Sequence, residues 1–592
     1  MNTGKLKSIF IFTEPEPKEQ FILKENETDK KKESDSNKAK IKIKEQTKSN
    51  PQKNDDNEKS RSKDKTPYHL TKGENIEIVG ELDKNLEFIK TVFYIPQNGD
   101  VVLREFEVII NKKPVPAFAV YIDGLADRKV VADNILNPLM VLSNLDIKSE
   151  VTDIMHFVKK HLMAYGQIMV AKTYDKVIEE INFGGCAVFI DGMRGAFTAD
   201  VKGWEHRNIS RPNTELVIRG PQEGFNEVLR VNTALVRKIL KDEDLIVETI
   251  LIGERSKTPC SLMYIKDIAN DSLVNEVRRR LKSIKTDYLI DSGELEQLIE
   301  DSSYLPTPQL IATERPDRVA AYLSKGKVAV MMHGSPFCLV MPACAASLFH
   351  ASEDSYIRFP YSNFLRLVRF LAATLSLLLP GIYVAVTNFH VEMLPTDLLL
   401  AIAASREKVP FPVIVEILIM ELSFELIREA GIRIPGPIGP TLGIIGALIL
   451  GQAAVAANIV SPILIIIVAV TGIGSFAVPN FSAAFGFRIL RFIYIILGAI
   501  AGFLGITLGL FLHVLLQVDQ KSFGVPFMTP LAPKAVGIFS ESTTREKTWN
   551  MERRPDYLNT KDDQRQPKIC RKWVIPQKKN SSKNRKEDSN EQ

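Results

Sequence analysis

The spacing of apolar positions changes character twice along this chain. Between residues 25 and 65 there is no apolar period, and the residues are almost all Lys, Glu, Asp, Asn and Ser. From about 71 to 335, short Val-, Ile- and Tyr-rich runs alternate with amphipathic stretches. "PAFAVYIDG" (116–124) and "CAVFIDGM" (186–193) predict buried strands that run into Asp-Gly turns. "DRKVVADNILNPLM" (127–140) and "FNEVLRVNTALVRKIL" (225–240) carry apolar residues at helical spacing. Alternating strands and helices predict an α/β or α+β domain, expected in the cytoplasm because the only apolar patch near the N-terminus is too short for a signal peptide. From 364 to 517 the chain is mostly Leu, Ile, Val, Ala, Gly and Phe.

The middle region contains an internal echo. "VYIDGLADRKVV" (120–131) resembles "MYIKDIANDSLV" (263–274), and "CAVFIDGM" is echoed by "VAVMMHGS" (328–335). Two related subdomains follow, 71–220 and 221–335. The charged segment 1–70 precedes them as a disordered, solvated tether, since it cannot bury enough apolar surface to fold. A membrane domain over 336–517 and a basic cytoplasmic tail over 518–592 complete the organisation.

Four segments, 364–387, 439–460, 462–479 and 488–517, have the length and apolarity of a bilayer crossing, for which about 20 residues are needed. Two more, 394–404 and 411–427, are short or interrupted, and Pro380, Pro395, Pro410 and Pro412 punctuate the zone. Broken helices at membrane depth require packing or water, so 380–430 is expected to be packed or water-facing, with 394–427 re-entrant or paired. Arg- and Lys-rich motifs after 540 predict a cytoplasmic C-terminus on the side of the N-terminal domain, which requires an even number of crossings.

Composition changes this picture little. The 592 residues are 45% hydrophobic and 25% charged with a net charge of +5. Such averages suit a soluble protein only because the polar and apolar parts are segregated. The five cysteines, at 186, 260, 338, 344 and 570, fit neither a zinc site nor a disulfide framework. The apolar patch at Ile9–Phe12 is too short for a signal peptide.

Candidate chemistry concentrates in three stretches. "NFHVEMLPTDLLL" (388–400) sets His390, Glu392 and Asp397 among apolar residues. The His-x-Glu pattern lacks the downstream Pro-Cys-x-x-Cys of zinc deaminases, and no His-Glu-x-x-His, Gly-x-Ser-x-Gly or phosphate loop occurs. An enzyme, a metal site and a cofactor are therefore not expected, and the three residues are read as capping, assembly or gating groups. "FPVIVEILIMELSFELIREAGIR" (411–433) carries Glu416, Glu421, Glu425 and Glu429. The last three are one turn apart on one face, Arg428 can pair with Glu425, and Glu416 points elsewhere. Either an interfacial amphipathic helix or an ionisable row along an ion path accounts for them. "LGIIGALILGQAAVAANIVSP" (442–462) places Gln452, Asn458 and Ser461 among small residues on a slanting row. Such a row suits close helix packing or a narrow pore.

Several long motifs resemble the A subunit of the GerA family of spore germinant receptors. They are "SPFCLVMPACAASLFHASEDSY", "LPGIYVAVTNFHVEMLPTDLLLAIAASREKVPFP", "MELSFELIREAGIRIPGPIG", "GALILGQAAVAANIVSP", "RGPQEGFNEVLRVNTALVRKILKD", "DSGELEQLIED" and "ERPDRVAAYL". The resemblance spans about 71 to 568. One departure is Ser355, where a second Tyr commonly precedes Tyr356. The resemblance implies an inner-membrane protein of the dormant spore whose soluble part has two α/β subdomains. It implies a homo-oligomer, a pentamer, enclosing a channel for monovalent cations, with a transporter-like B subunit that binds the nutrient and a lipoprotein C subunit. It implies no catalysis, and no nucleic-acid partner is expected. Under it, Gln452, Asn458, Val460 and Ser461 become pore-lining candidates. His390, Glu392, Asp397, Glu416, Glu421 and Glu425 become gating or assembly candidates. A secondary transporter is the alternative, although the inverted repeats common in that class are not visible among these spans.

Overall fold

Apolar runs that are continuous rather than alternating become strands covered on both faces. In the computed structural model, which describes residues 21, 23, 76–110, 113–141, 158, 168–203, 211–212, 214–302, 305–433, 450–533, 544–567 and 570–571, these runs form two five-stranded sheets. The first contains β1 (Val101–Ile110), β2 (Lys113–Ile122), β3 (Ile168–Ala171), β4 (Cys186–Ile190) and β5 (Ala196–Ala199), in the order β1-β2-β4-β5-β3. The second contains β6 (Leu245–Ile252), β7 (Thr258–Ile265), β8 (Ile311–Thr313), β9 (Val328–Met332) and β10 (Cys338–Met341), in the order β6-β7-β9-β10-β8. The strand order is the same in both, and every pairing is antiparallel.

The period of two explains the double burial. In β2, Ala117, Ala119 and Tyr121 enter one core with Val188 and Ile190, while Phe118, Val120 and Ile122 enter the other with Ala187 and Phe189. The second sheet repeats this: Leu262 and Tyr264 pack on one side, Met263 and Ile265 on the other. The echoed stretches occupy matching places. After β2, Asp127 accepts from the amides of Lys129 and Val130 to start a helical run; after β7, Asn270 accepts from the amide of Ser272 to start another. The other echoed pair forms β4 and β9, each third in its sheet. The second sheet continues past residue 335, because β10 pairs with both β8 and β9.

A polar joint holds the two units together. Helix α1 (Leu229–Ile239) carries Arg237, which donates to Asp100 at 2.5 and 2.8 Å and to Asn98 at 2.9 Å. Asn98 also accepts from the amide of Val247 at 2.9 Å. Arg237 and Asp100 are fully buried, so their pairing and hydrogen bonds must offset a large desolvation cost, and removing either alone would cost about 3–5 kcal/mol.

The helical part begins with α2 (Phe359–Phe389), continues through α3 (Thr396–Arg406), α4 (Val413–Arg433) and α5 (Pro462–Phe476), and ends with α6 (Phe481–Asp519). Among the described residues, α2 and α6 are long and apolar enough to cross a membrane, and α5 is a shorter apolar helix of 15 residues. The first half of the expected span 439–460 lies outside the described residues, which resume at 450.

The expected single span 488–517 is corrected by the structure. α6 is interrupted at Gly502 (φ 58°, ψ −139°), and its two arms fold back on each other. Tyr494 Oη and His513 Nδ1 lie 3.2 Å apart, whereas 19 residues of straight helix would separate them by about 28 Å. A side chain at Gly502 would meet His390 Nε2 and Phe389, and the left-handed backbone there favours glycine. The first arm runs parallel to α2 in constant register: Ser376 meets Arg491, Gly381 meets Tyr494 and Gly498, and His390 meets Phe503. The second arm returns to the α/β part, where Gln520 accepts from Thr307 Oγ1 at 3.1 Å. The segment beyond it also packs on the second α/β unit: Asn270 donates to Asn559 O at 3.0 Å, and Arg554 donates to Ser324 O at 2.9 Å.

Candidate functional site

Ionisable residues inside an apolar bundle require partners, and α4 finds them on three neighbouring helices. Glu421 accepts from Arg491 Nη1 at 2.5 Å, with both side chains fully buried. Arg491 also donates to Ser376 Oγ at 3.2 Å, so one guanidinium ties α2, α4 and the first arm of α6 together. One turn along, Glu425 pairs with Arg428 and lies 4.0 Å from Arg488, whose guanidinium sits 4.0 Å from the Phe485 ring centroid. Glu421 and Glu425 therefore face the interior of the bundle as an ion-pair ladder, whereas Glu429, the third of the row, is exposed.

Glu416 points away from this row. It accepts from the backbone amide of Ser461 at 3.1 Å and lies 3.5 Å from Arg406 Nε at the end of α3. Ser461 is the N-cap immediately before α5, so a carboxylate from α4 sits at a helix N-terminus on another element, where negative charge is stabilised. Glu416 Oε1, Ser461 Oγ, Tyr383 Oη and Arg406 Nε are buried with no hydrogen-bond partner among the described residues.

The structure separates the four pore candidates. Residues 450–456 are helical, Asn458 adopts a left-handed backbone (φ 55°), and the chain then turns into α5. Gln452 and Asn458 are exposed, whereas Val460 and Ser461 are buried in the bundle. The group around His390 is similarly divided. α2 ends at Phe389, a single 3-10 turn follows at Val391–Met393, and α3 begins at Thr396. His390 Nε2 accepts from the Phe503 amide at 3.4 Å, and its ring stacks on Phe503 at 5.0 Å, so it seats the tip of the α6 hairpin. Glu392 and Asp397 are exposed and pair with nothing among the described residues.

Sequence reasoning missed Arg491, Arg488 and Arg406 as partners. The signal was present in "FRILRF" (487–492), where two arginines three residues apart lie on one face of an apolar helix. In the α/β part, a cleft of about 450 Å³ opens between the units near Asp123, which pairs with Arg128 and, at 3.1 Å, with Arg230. The carboxylates of Asp242, Glu243 and Asp244 are close enough together to hold a metal ion, but Tyr94 donates to Asp244 at 2.9 Å and Asn182 to Glu243 at 3.3 Å.

A family model described as Bacillus/Clostridium GerA spore germination protein matches residues 87–557. The chain belongs to the GerA family of spore germination proteins. This GerA-family chain is 38% identical over 497 residues to spore germination protein KA of Bacillus subtilis (strain 168), covering 84% of this chain and 90% of that one. It is 39% identical over 459 residues to the uncharacterized membrane protein YfkQ of the same organism, covering 77% and 88%. A solved structure, the N-terminal domain of the A subunit of the Bacillus megaterium spore germinant receptor GerK3, aligns at 31% identity and a TM-score of 0.35. The alignment covers 45% of this chain and 96% of that domain. The GerA family match takes in both sheets, the ion-pair ladder and the α6 hairpin; Phe21 and Leu23 lie outside it.

Proposed function

We propose that this chain is the channel-forming A-type subunit of a nutrient-responsive germinant receptor in the spore inner membrane. Nutrient binds a transporter-like B subunit, a lipoprotein C subunit completes the complex, and copies of this chain form a ring, a pentamer, that conducts monovalent cations when open. The observation that carries the reading is the pairing of opposite environments around one helix break. Gln452 and Asn458 present polar groups outward from the bundle, while Ser461, two residues past the exposed Ile459, is pinned inside by Glu416. Exposed amides on a helix of small residues and on the turn that ends it supply oxygens that replace part of a cation's water shell. The pinned end gives that helix a fixed hinge. The ladder of Glu421, Glu425, Arg488 and Arg491 braces the bundle behind the pore and does not line it.

The α6 hairpin supports a multi-pass arrangement with both chain ends on the cytoplasmic side, because the residues following the second arm return to the α/β units. Opening requires a ligand with differential affinity for the two states, and B-subunit binding supplies it. The test is reconstitution of the chain with its partner subunits in liposomes. Nutrient-dependent flux of monovalent cations is expected, and Asn458→Asp or Gln452→Glu should change its rate or ion preference. Flux of a solute coupled to an ion gradient, with no oligomer in detergent, would instead indicate a secondary transporter.

A further inference from the structure

Phe21 and Leu23 lie outside the family match and far from the next described residue, Ile76, yet both are half-buried against the second α/β unit. Leu23 packs on the core formed by Leu262, Tyr264, Leu295, Phe523 and their neighbours. The contact centres on Gly524. A side chain there would stand 2.8 Å from the Leu23 amide nitrogen, 2.8 Å from Phe21 Cδ1 and 3.0 Å from Phe21 O. Gly524 also needs its left-handed backbone (φ 78°) for the two-residue turn between β11 (Lys521–Ser522) and β12 (Val525–Pro526).

That small hairpin is where the second arm of α6 is fixed to the α/β part. Ser522 Oγ donates to Gln309 O at 2.6 Å and accepts from the Ala343 amide at 2.9 Å. The amide of Phe523 donates to Asp301 at 2.7 Å, and its buried ring lies 4.2 Å from the Arg280 guanidinium. We propose that Phe21 and Leu23 form an intramolecular latch over Gly524 that holds the β11–β12 hairpin, and with it the end of the second arm of α6, in the second α/β unit.

The size of the contact favours a reversible latch. It comprises two apolar side chains and backbone at one glycine, a small surface compared with the buried hairpin beneath it.

The test uses the full-length protein in detergent and hydrogen exchange over 520–527. Phe21→Ala with Leu23→Ala should raise amide exchange at Phe523–Val525 by about tenfold while leaving exchange in β6, β7 and β9 unchanged. Exchange at Phe523–Val525 within about twofold of the parent would overturn the latch. A photo-crosslinking phenylalanine analogue placed at position 21 should link to 520–527 of the same chain. A link to a second copy, or to another surface, would overturn it as well. Neither measurement depends on channel activity.

Discussion

Arg491 and Glu421 stand 70 residues apart in sequence and form a 2.5 Å ion pair in which neither side chain reaches solvent. The pair joins α4 to the first arm of α6, and Ser376 adds α2 to the same guanidinium. Removing one partner strands a buried charge, which costs about 3–5 kcal/mol, whereas replacing both with apolar residues of similar size is near neutral. Arg491→Met and Glu421→Gln are each expected to lower the yield and melting temperature of the detergent-purified protein. The Arg491→Met, Glu421→Leu double variant should recover most of the loss. A double variant as unstable as the sum of the singles would show that the pair is not the source.

The hairpin at Gly502 makes a distance prediction. Cysteines replacing Tyr494 and His513 should crosslink with a short bifunctional reagent, because the native side chains are in contact. A continuous helix would hold them about 28 Å apart and prevent it. Gly502→Leu, which forces a side chain toward His390 and Phe389, should abolish the crosslink or cost about 1–3 kcal/mol of stability.

Glu392 and Asp397 are exposed at the turn between α2 and α3, with no partner among the described residues. Glu392→Gln and Asp397→Asn should therefore leave the melting temperature of the isolated chain within about 1 °C of the parent, as expected for surface changes. They should weaken assembly or slow the germination response of spores carrying the variant. Parent-like oligomer formation and parent-like germination in both would remove these residues from assembly and gating.

In the second α/β unit, burial and the neighbouring Glu300 push the Glu296 carboxyl up from 4.5 to about 7. The folded state therefore binds more protons than the unfolded chain between those values. The associated stability is present at low pH and is lost as pH rises through about 7. Glu296→Gln should flatten this dependence and raise stability at pH 8 by at most about 3 kcal/mol, less where solvent screens the site. Denaturant titrations at pH 5 and pH 8 check it; an unchanged pH slope would contradict the assignment.

Much of the α/β part was legible in the sequence. Runs such as "PAFAVYIDG" and "CAVFIDGM" identify themselves as doubly covered strands, and the echo of 120–131 in 263–274 corresponds to matching strand-to-helix caps at Asp127 and Asn270. The antiparallel pairing was not legible, because an apolar run buried on both faces reads the same in either direction. In the helical part, the first apolar segment and the breaks at 390–396 and 410–412 correspond to the ends of α2, α3 and α4. The acidic row and its Arg428 partner were also visible, since residues three and four apart on a helix must be neighbours.

Local periodicity determined which residues are strand, helix or charged tract, because those preferences act over a few residues. Tertiary structure alone decided which charges meet. Arg491 pairs with Glu421, Glu416 accepts from the Ser461 amide, and Val460 is buried while Asn458 is exposed, because each depends on how helices distant in sequence pack. It also decided that 481–519 reverses at Gly502: thirty apolar residues are compatible with one tilted span or two short arms, and only the contacts of Tyr494 with His513 and of Gly502 with His390 distinguish them.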